Sequence, residues 1–134
     1  MIAVDASSIS KLVLQEERWQ EIEEYLKGNA CSLDYAVMEA MNAIWKEHVL
    51  RKRITAEDAS NKAEALSLIS SYSLSIEPSS SYTKEGLRLA IKEKITVYDA
   101  VYIVQARKYG TLLTSDGKQA EISESLRINT ICIK

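Results

Sequence analysis

The chain has little of what several large protein classes depend on. Its 134 residues include one proline and four glycines, which leaves no flexible linker and argues for tightly joined helices and strands. Two cysteines, Cys31 and Cys132, are too few for a disulfide framework. Both lie in short apolar runs, where a reduced, buried thiol is expected. With a single histidine, His48, there are no paired Cys or His ligands for zinc, and no glycine-rich loop for a nucleotide phosphate. Nowhere do about 18 apolar residues follow one another, so nothing is expected to span a membrane. The start MIAVDASS lacks the cationic front and long apolar stretch of a secretory leader, and a cytoplasmic protein is the expectation. A net charge of −2 predicts no broad basic field, so any nucleic-acid contact has to be local.

What is there is an apolar fraction of 46% against 27% charged residues, proportions of an ordered globule. The length suits a single domain over residues 1–134. Short apolar runs alternate with longer helical patterns. Residues 2–5 (IAVD) read as a buried strand, followed by a short helix from about Ser7. Residues 17–27 form an amphipathic helix that Gly28 and Asn29 stop. Residues 30–33 (ACSL) make a second strand, and residues 35 to about 50 a long helix. The TAED stretch at 55–58 opens another helix with a capping-box pattern, and residues 74–77 (LSIE) make a third strand. After Ser79–Ser81 come helices to about Glu93 and over 98–109, ended by Gly110. Residues 111–115 form a fourth strand, a short helix follows Gly117, and residues 130–133 close as a fifth strand. Non-alternating apolar strands between helices indicate an α/β domain around a parallel sheet. Right-handed crossovers would bury the first strand in its middle.

In open parallel sheets, ligands gather at the carboxyl ends of the strands. Asp5 and Asp116 fall there directly. Glu39 sits in the first turn of the helix after ACSL, whose apolar stripe is Val37, Met41, Ile44, Trp45 and His48. Glu39 lies well off that stripe, beside Asn42 and Ala43. Asp99 stands near the front of TVYDAVYIVQA (96–106), a segment apolar almost all the way round. A carboxylate there is costly unless it is capped, paired or bound to a cation. Each acid has a plain explanation: Asp5 and Asp116 as N-caps, Asp99 in a loose capping box with Thr96, Glu39 as a solvated helix acid. Capping does not explain why all four converge on one edge of the sheet. Converging carboxylates with no basic partner repel one another, and a hard divalent cation relieves the repulsion.

DAS at 5–7, Glu39 after the second strand, VYDAVY at 97–102 and LLTSD at 112–116 together resemble the PIN-domain ribonucleases, most closely the VapC-type toxins of prokaryotic toxin–antitoxin pairs. The likeness runs through essentially the whole chain, and YDA-x-Y followed by LLT-x-D is its most specific part. It implies a Rossmann-like three-layer α/β fold, with a parallel sheet of about five strands in order 3-2-1-4-5. It implies a metal-dependent endoribonuclease using Mg²⁺ or Mn²⁺, leaving a 5′-phosphate and a 3′-hydroxyl. The family's acidic quartet falls on Asp5, Glu39, Asp99 and Asp116. Asp5, Asp99 and Asp116 would be the metal ligands, and Glu39 would complete the shell or orient the attacking water. The family's hydroxyl residues near the metal fall on Ser7 and Thr114, with Asn42 beside Glu39 in support. A homodimer, an RNA substrate and a cognate antitoxin are implied as well. Gly117-Lys118-Gln119 departs from the Arg- or aromatic-containing turn often found after the last acid, which bears on substrate contacts more than on catalysis.

Lys84, Arg88 and Lys92 make a basic stripe at helical spacing, a candidate track for RNA phosphates that Glu85 and Glu93 dilute. Arg51-Lys52-Arg53 suits a helix C-terminus. Trp19, Trp45, Tyr98 and Tyr102 sit at core-like spacings and are expected to pack. Two other readings compete: a catalytically idle PIN-fold module that only binds an antitoxin or RNA, and a phosphoryl-accepting receiver domain. The first is expected to have lost acids. The second wants an acidic pair after the first strand, where Ala6 and Ser7 stand.

Overall fold

Five short apolar runs pair into one sheet: β1 (Ile2–Val4), β2 (Ala30–Leu33), β3 (Ser75–Glu77), β4 (Thr111–Thr114) and β5 (Asn129–Cys132). In the computed structural model, which describes residues 1–134, they lie in the order β3-β2-β1-β4-β5. Every pairing is parallel, with Ile2 facing both Ala30 and Thr111, Cys31 facing Ser75 and Thr111 facing Asn129. The order expected from the resemblance is the one observed. β1 is three residues long yet central, so Ala3 and Val4 are buried from both faces.

Seven helices flank the sheet: α1 (Ala6–Leu14), α2 (Trp19–Leu26), α3 (Asp34–Trp45), α4 (Ala56–Leu68), α5 (Thr83–Glu93), α6 (Val97–Tyr109) and α7 (Gly117–Ser125). Right-handed crossovers put α1 to α4 on one face and α5 to α7 on the other. Helix starts follow the sequence closely. Thr55 and Asp58 close a full capping box on α4, and the Thr96 side chain accepts from the Asp99 backbone N–H at 3.2 Å. The long helix expected over 35–50 is α3 with a wider π-helical turn, Lys46–Leu50, at its end.

The buried face of α3 is shifted from the stripe its large apolar residues suggest. The buried residues are Ala36, Ala40 and Ile44, continued by Glu47, while Trp45 is 48% exposed and Val37, Met41 and His48 are half-buried. The small alanines let α3 approach α1 closely; of the bulkier stripe Ile44 is buried, Val37 and Met41 pack partly against the core, and Trp45 lies toward the surface. Glu47 is buried with its carboxylate held by Arg51. His48 is a structural group: its Nδ1 lies 2.8 Å from the Ile54 carbonyl.

α6 is enclosed on every side, with residues 100–106 all buried. Gly86 of α5 makes this possible, since a Cβ there would lie 2.8 Å from Val101 Cγ1. The edge strand β3 is pinned to the same helix through Glu77. Its Oε1 accepts from Tyr82 at 2.6 Å and from Gln105 at 3.0 Å, and its Oε2 from Tyr109 at 2.8 Å. Burial pushes the Glu77 pKa up, but the donors Gln105, Tyr82 and Tyr109 outweigh it and hold it below the usual value. Cys31 is a free, buried thiol whose pKa burial raises to about 11, as suits an inert core residue. Cys132 is free and half-buried.

Candidate active site

Four acids reach the carboxyl rim of the sheet from different elements. Asp5 follows β1 and caps α1, its Oδ1 accepting from the Ser8 N–H at 3.2 Å. Asp116 follows β4 and caps α7, its Oδ1 accepting from the N–H groups of Lys118 at 2.9 Å and Gln119 at 3.3 Å. Glu39 projects from α3, and Asp99 stands in the first turn of α6. All four line one cavity of about 200 Å³ with Ala6, Ser7, Tyr102 and Gln119. Capping and convergence therefore hold together, and neither reading excludes the other.

The hydroxyls of Ser7 and Thr114 both serve Asp5. Ser7 donates to Oδ1 at 2.6 Å and Thr114 donates to Oδ2. The same two hydroxyl oxygens accept from the backbone N–H groups of Ser115 at 2.9 Å and Asp116 at 3.1 Å. The start of α1 is thus stitched to the end of β4. Asp5 is 4% exposed. Burial pushes its pKa up to about 6, the Ser7, Thr114 and Ser8 bonds oppose that rise, and the charge of Asp116 adds to it. Glu39 is raised as well, by burial first, with the Tyr102 bond opposing and the Asp99 charge adding.

No lysine or arginine lines this cavity, so nothing in its wall neutralises the acids. The oxygens left free are informative. The Asp99 carboxylate accepts no hydrogen bond, its residue being held only through its backbone by Thr96 and by Gln119 Nε2 at 2.8 Å. Asp116 keeps Oδ2 free and Glu39 keeps Oε1 free. As the side chains stand, no three of them come close enough together to grip one ion. An all-oxygen, anionic donor set nonetheless fits a hard divalent cation that keeps several of its waters.

Several expectations need correction. Asp99 is exposed, because α6 enters the core from the rim and carries the acid at its outer end. Tyr98, expected to pack, is 59% exposed beside it. Asn42 bonds to none of the four acids and lines an adjoining cleft instead. Arg88 and Lys92 share a groove of about 280 Å³ with Arg107 and the acid Glu85, and Lys84 does not line it. Two residues escaped the sequence reading. Tyr102 packs as expected, but its hydroxyl also donates to Glu39 Oε2 at 2.6 Å. The available signal was its spacing, three residues after Asp99 on one helix face. Gln119 ties α7 to the Asp99 carbonyl, and nothing in the sequence marks it.

Residues 2–125 match the PIN domain family. The chain is 36% identical over 123 residues to Ribonuclease VapC3 of Pyrobaculum aerophilum, covering 90% of this chain and 92% of that one. It is 26% identical over 133 residues to Exonuclease VapC9 of the same organism, covering 98% and 92%. The crystal structure of PAE2754 from that organism matches with a TM-score of 0.67 at 26% identity, over 93% of this chain and 90% of the other. On fold, acidic rim and sequence alike, the chain belongs to the PIN-domain family, in its VapC-type branch.

Proposed function

We propose that this chain is a metal-dependent endoribonuclease and the toxin of a prokaryotic toxin–antitoxin pair. The observation that carries the reading is the convergence of Asp5, Glu39, Asp99 and Asp116 on one small cavity without a cation in its wall. Relatives that bear the names ribonuclease and exonuclease support the reaction class. The completeness of the quartet argues against an idle binding module.

Asp99 and Asp116 offer free oxygens to Mg²⁺ or Mn²⁺, and Asp5, which lines the same cavity, would reach the ion directly or through one of its waters. When bound, a divalent cation supplies positive charge at the scissile phosphate and acidifies a water for in-line attack. The chain's own residues set the stage for that. Ser7 and Thr114 fix the Asp5 carboxylate, Gln119 fixes the front of α6, and Tyr102 holds one oxygen of Glu39 so that the other can orient the attacking water. Arg88, Lys92 and Arg107 outnumber the one acid, Glu85, in their groove and suit a phosphate track. Lys84 contributes general attraction at most.

The cognate antitoxin would bind over the acidic rim, and Leu87 and Ile91, exposed one turn apart on α5, suit self-association into a homodimer. No helix is long and apolar enough to cross a membrane, and the proposed place of action is the cytoplasm. A circularised RNA tests the chemistry: an endonuclease opens it, whereas an exonuclease leaves it intact and degrades only linear RNA. EDTA and each of Asp5→Asn and Asp99→Asn are expected to abolish cleavage. Activity that survives chelation and both substitutions overturns the proposal.

A further inference from the structure

Beside the acidic cavity lies a wider cleft of about 440 Å³ between α1 and α3. The two openings share Ala6, Ser7 and Glu39, so a strand that crosses one enters the other. The cleft's wall has a different chemistry. Ser10 and Asn42 offer neutral hydrogen-bonding groups, Met38 adds one exposed apolar side chain, Lys46 is its only positive charge, and Tyr35 presents an aromatic face. The Tyr35 ring stacks on Tyr98, with centroids 5.2 Å apart and planes inclined by 22°. Tyr98 immediately precedes Asp99 and is 59% exposed. The stacked pair therefore bridges the front ends of α3 and α6, between the elements that carry Glu39 and Asp99.

We propose that this cleft is a nucleotide subsite for single-stranded RNA next to the cleaved bond. An unpaired base stacks on the platform of Tyr35, the ring that lines the cleft and that Tyr98 backs, and Lys46, about 10 Å along the helix axis from Glu39, meets a phosphate of the same strand. Ser10 and Asn42 then lie within the cleft to bond base edges or ribose hydroxyls. The preference for a single strand follows from the platform. In a duplex both faces of a base are covered by its neighbours, and only an unstacked base has a π-face to offer. A lone cation beside an aromatic ring, with a single apolar side chain and an opening onto a cluster of acids, matches a strand of alternating phosphates and bases better than an acidic or apolar peptide. The inference rests on the nuclease reading for what happens in the acidic cavity, but the binding chemistry belongs to the cleft alone.

The test is binding of a short fluorescein-labelled oligoribonucleotide to the full chain, followed by anisotropy in EDTA so that cleavage does not intervene. Tyr98→Ala is expected to weaken the single strand by roughly ten-fold or more, while Tyr98→Phe, which keeps the ring, binds like the wild type. The duplex of the same sequence is expected to be indifferent to Tyr98→Ala. Lys46→Ala is expected to flatten the slope of log affinity against log salt by about 0.7, the share of one phosphate contact. Because Tyr98 is mostly exposed, the substitution does not open the core, and matching thermal melts confirm that the variant is folded. Equal affinity of Tyr98→Ala and wild type overturns the platform, and an unchanged salt slope overturns the phosphate contact. A Tyr98 variant that keeps its RNA affinity but loses a protein partner assigns the cleft to that partner and overturns the inference too. A wild type that binds in a Tyr98-dependent way yet cuts nothing would refute the nuclease reading and leave this one standing.

Discussion

Asp5 shows how a group proposed to bind metal can work against the fold that holds it. It is nearly enclosed, and burial lifts its pKa from 3.8 to about 6. The unfolded chain ionises the same group at its ordinary value. Between about pH 4 and pH 6 the folded state therefore binds more protons than the unfolded one, and stability falls as pH rises through that window. The shift corresponds to about 3 kcal/mol above it. In EDTA near pH 7, Asp5→Asn is expected to raise the melting temperature, with the gain fading below about pH 4, while cleavage is lost. Asparagine keeps an acceptor for Ser7 and Ser8, and Thr114 can turn its hydroxyl to accept from the new amide. Melts followed by circular dichroism across pH check both signs. Asp5 was legible in the sequence because a strand-terminal acid has only a few places to be. Asp99 was legible as an acid out of place but not as an exposed one, since periodicity shows which residues share a face and not where a helix enters the core.

Tyr102 joins α6 to α3 through Glu39, and its removal separates packing from chemistry. Tyr102→Phe leaves the half-buried Glu39 without its donor and is expected to cost about 1–2 kcal/mol in stability. Burial raises the Glu39 pKa and the Tyr102 bond opposes that rise. Without the bond the pKa climbs further, so the acid limb of the pH–rate profile is expected to move to higher pH. Gly86→Val tests the closeness of α5 and α6. Its side chain would meet Val101, and overpacking of this kind is expected to cost about 2 kcal/mol or more in chemical denaturation. The existence and starts of these helices could be read from caps and spacing. The centre of the buried face of α3 could not, because Ala36 and Ala40 carry little hydrophobic signal, and the larger Val37, Met41 and above all Trp45 shifted the stripe toward the surface. The roles of Gln119 and of the Tyr35–Tyr98 stack depend on elements far apart in the chain, and no local pattern encodes them.

The assembled sheet gathers onto one rim acids that are up to 111 residues apart between Asp5 and Asp116. Strand order followed from the resemblance and from right-handed crossovers, but the short central β1 depends on neighbours at both sides for its pairing. Holding like charges together leaves stability to be gained from a counter-ion. Mn²⁺ or Mg²⁺ at a hundred times its dissociation constant is expected to add about 2.7 kcal/mol, seen as a rise in melting temperature. The rise should shrink in Asp99→Asn, and its persistence there would place the ion elsewhere. One further consequence comes from the enclosure of residues 100–106 in α6. Their amide hydrogens should exchange with solvent only when the whole fold opens, which hydrogen–deuterium exchange can measure. A helix so firmly seated offers no loose hinge, so the acid at its outer end stands on a fixed mount.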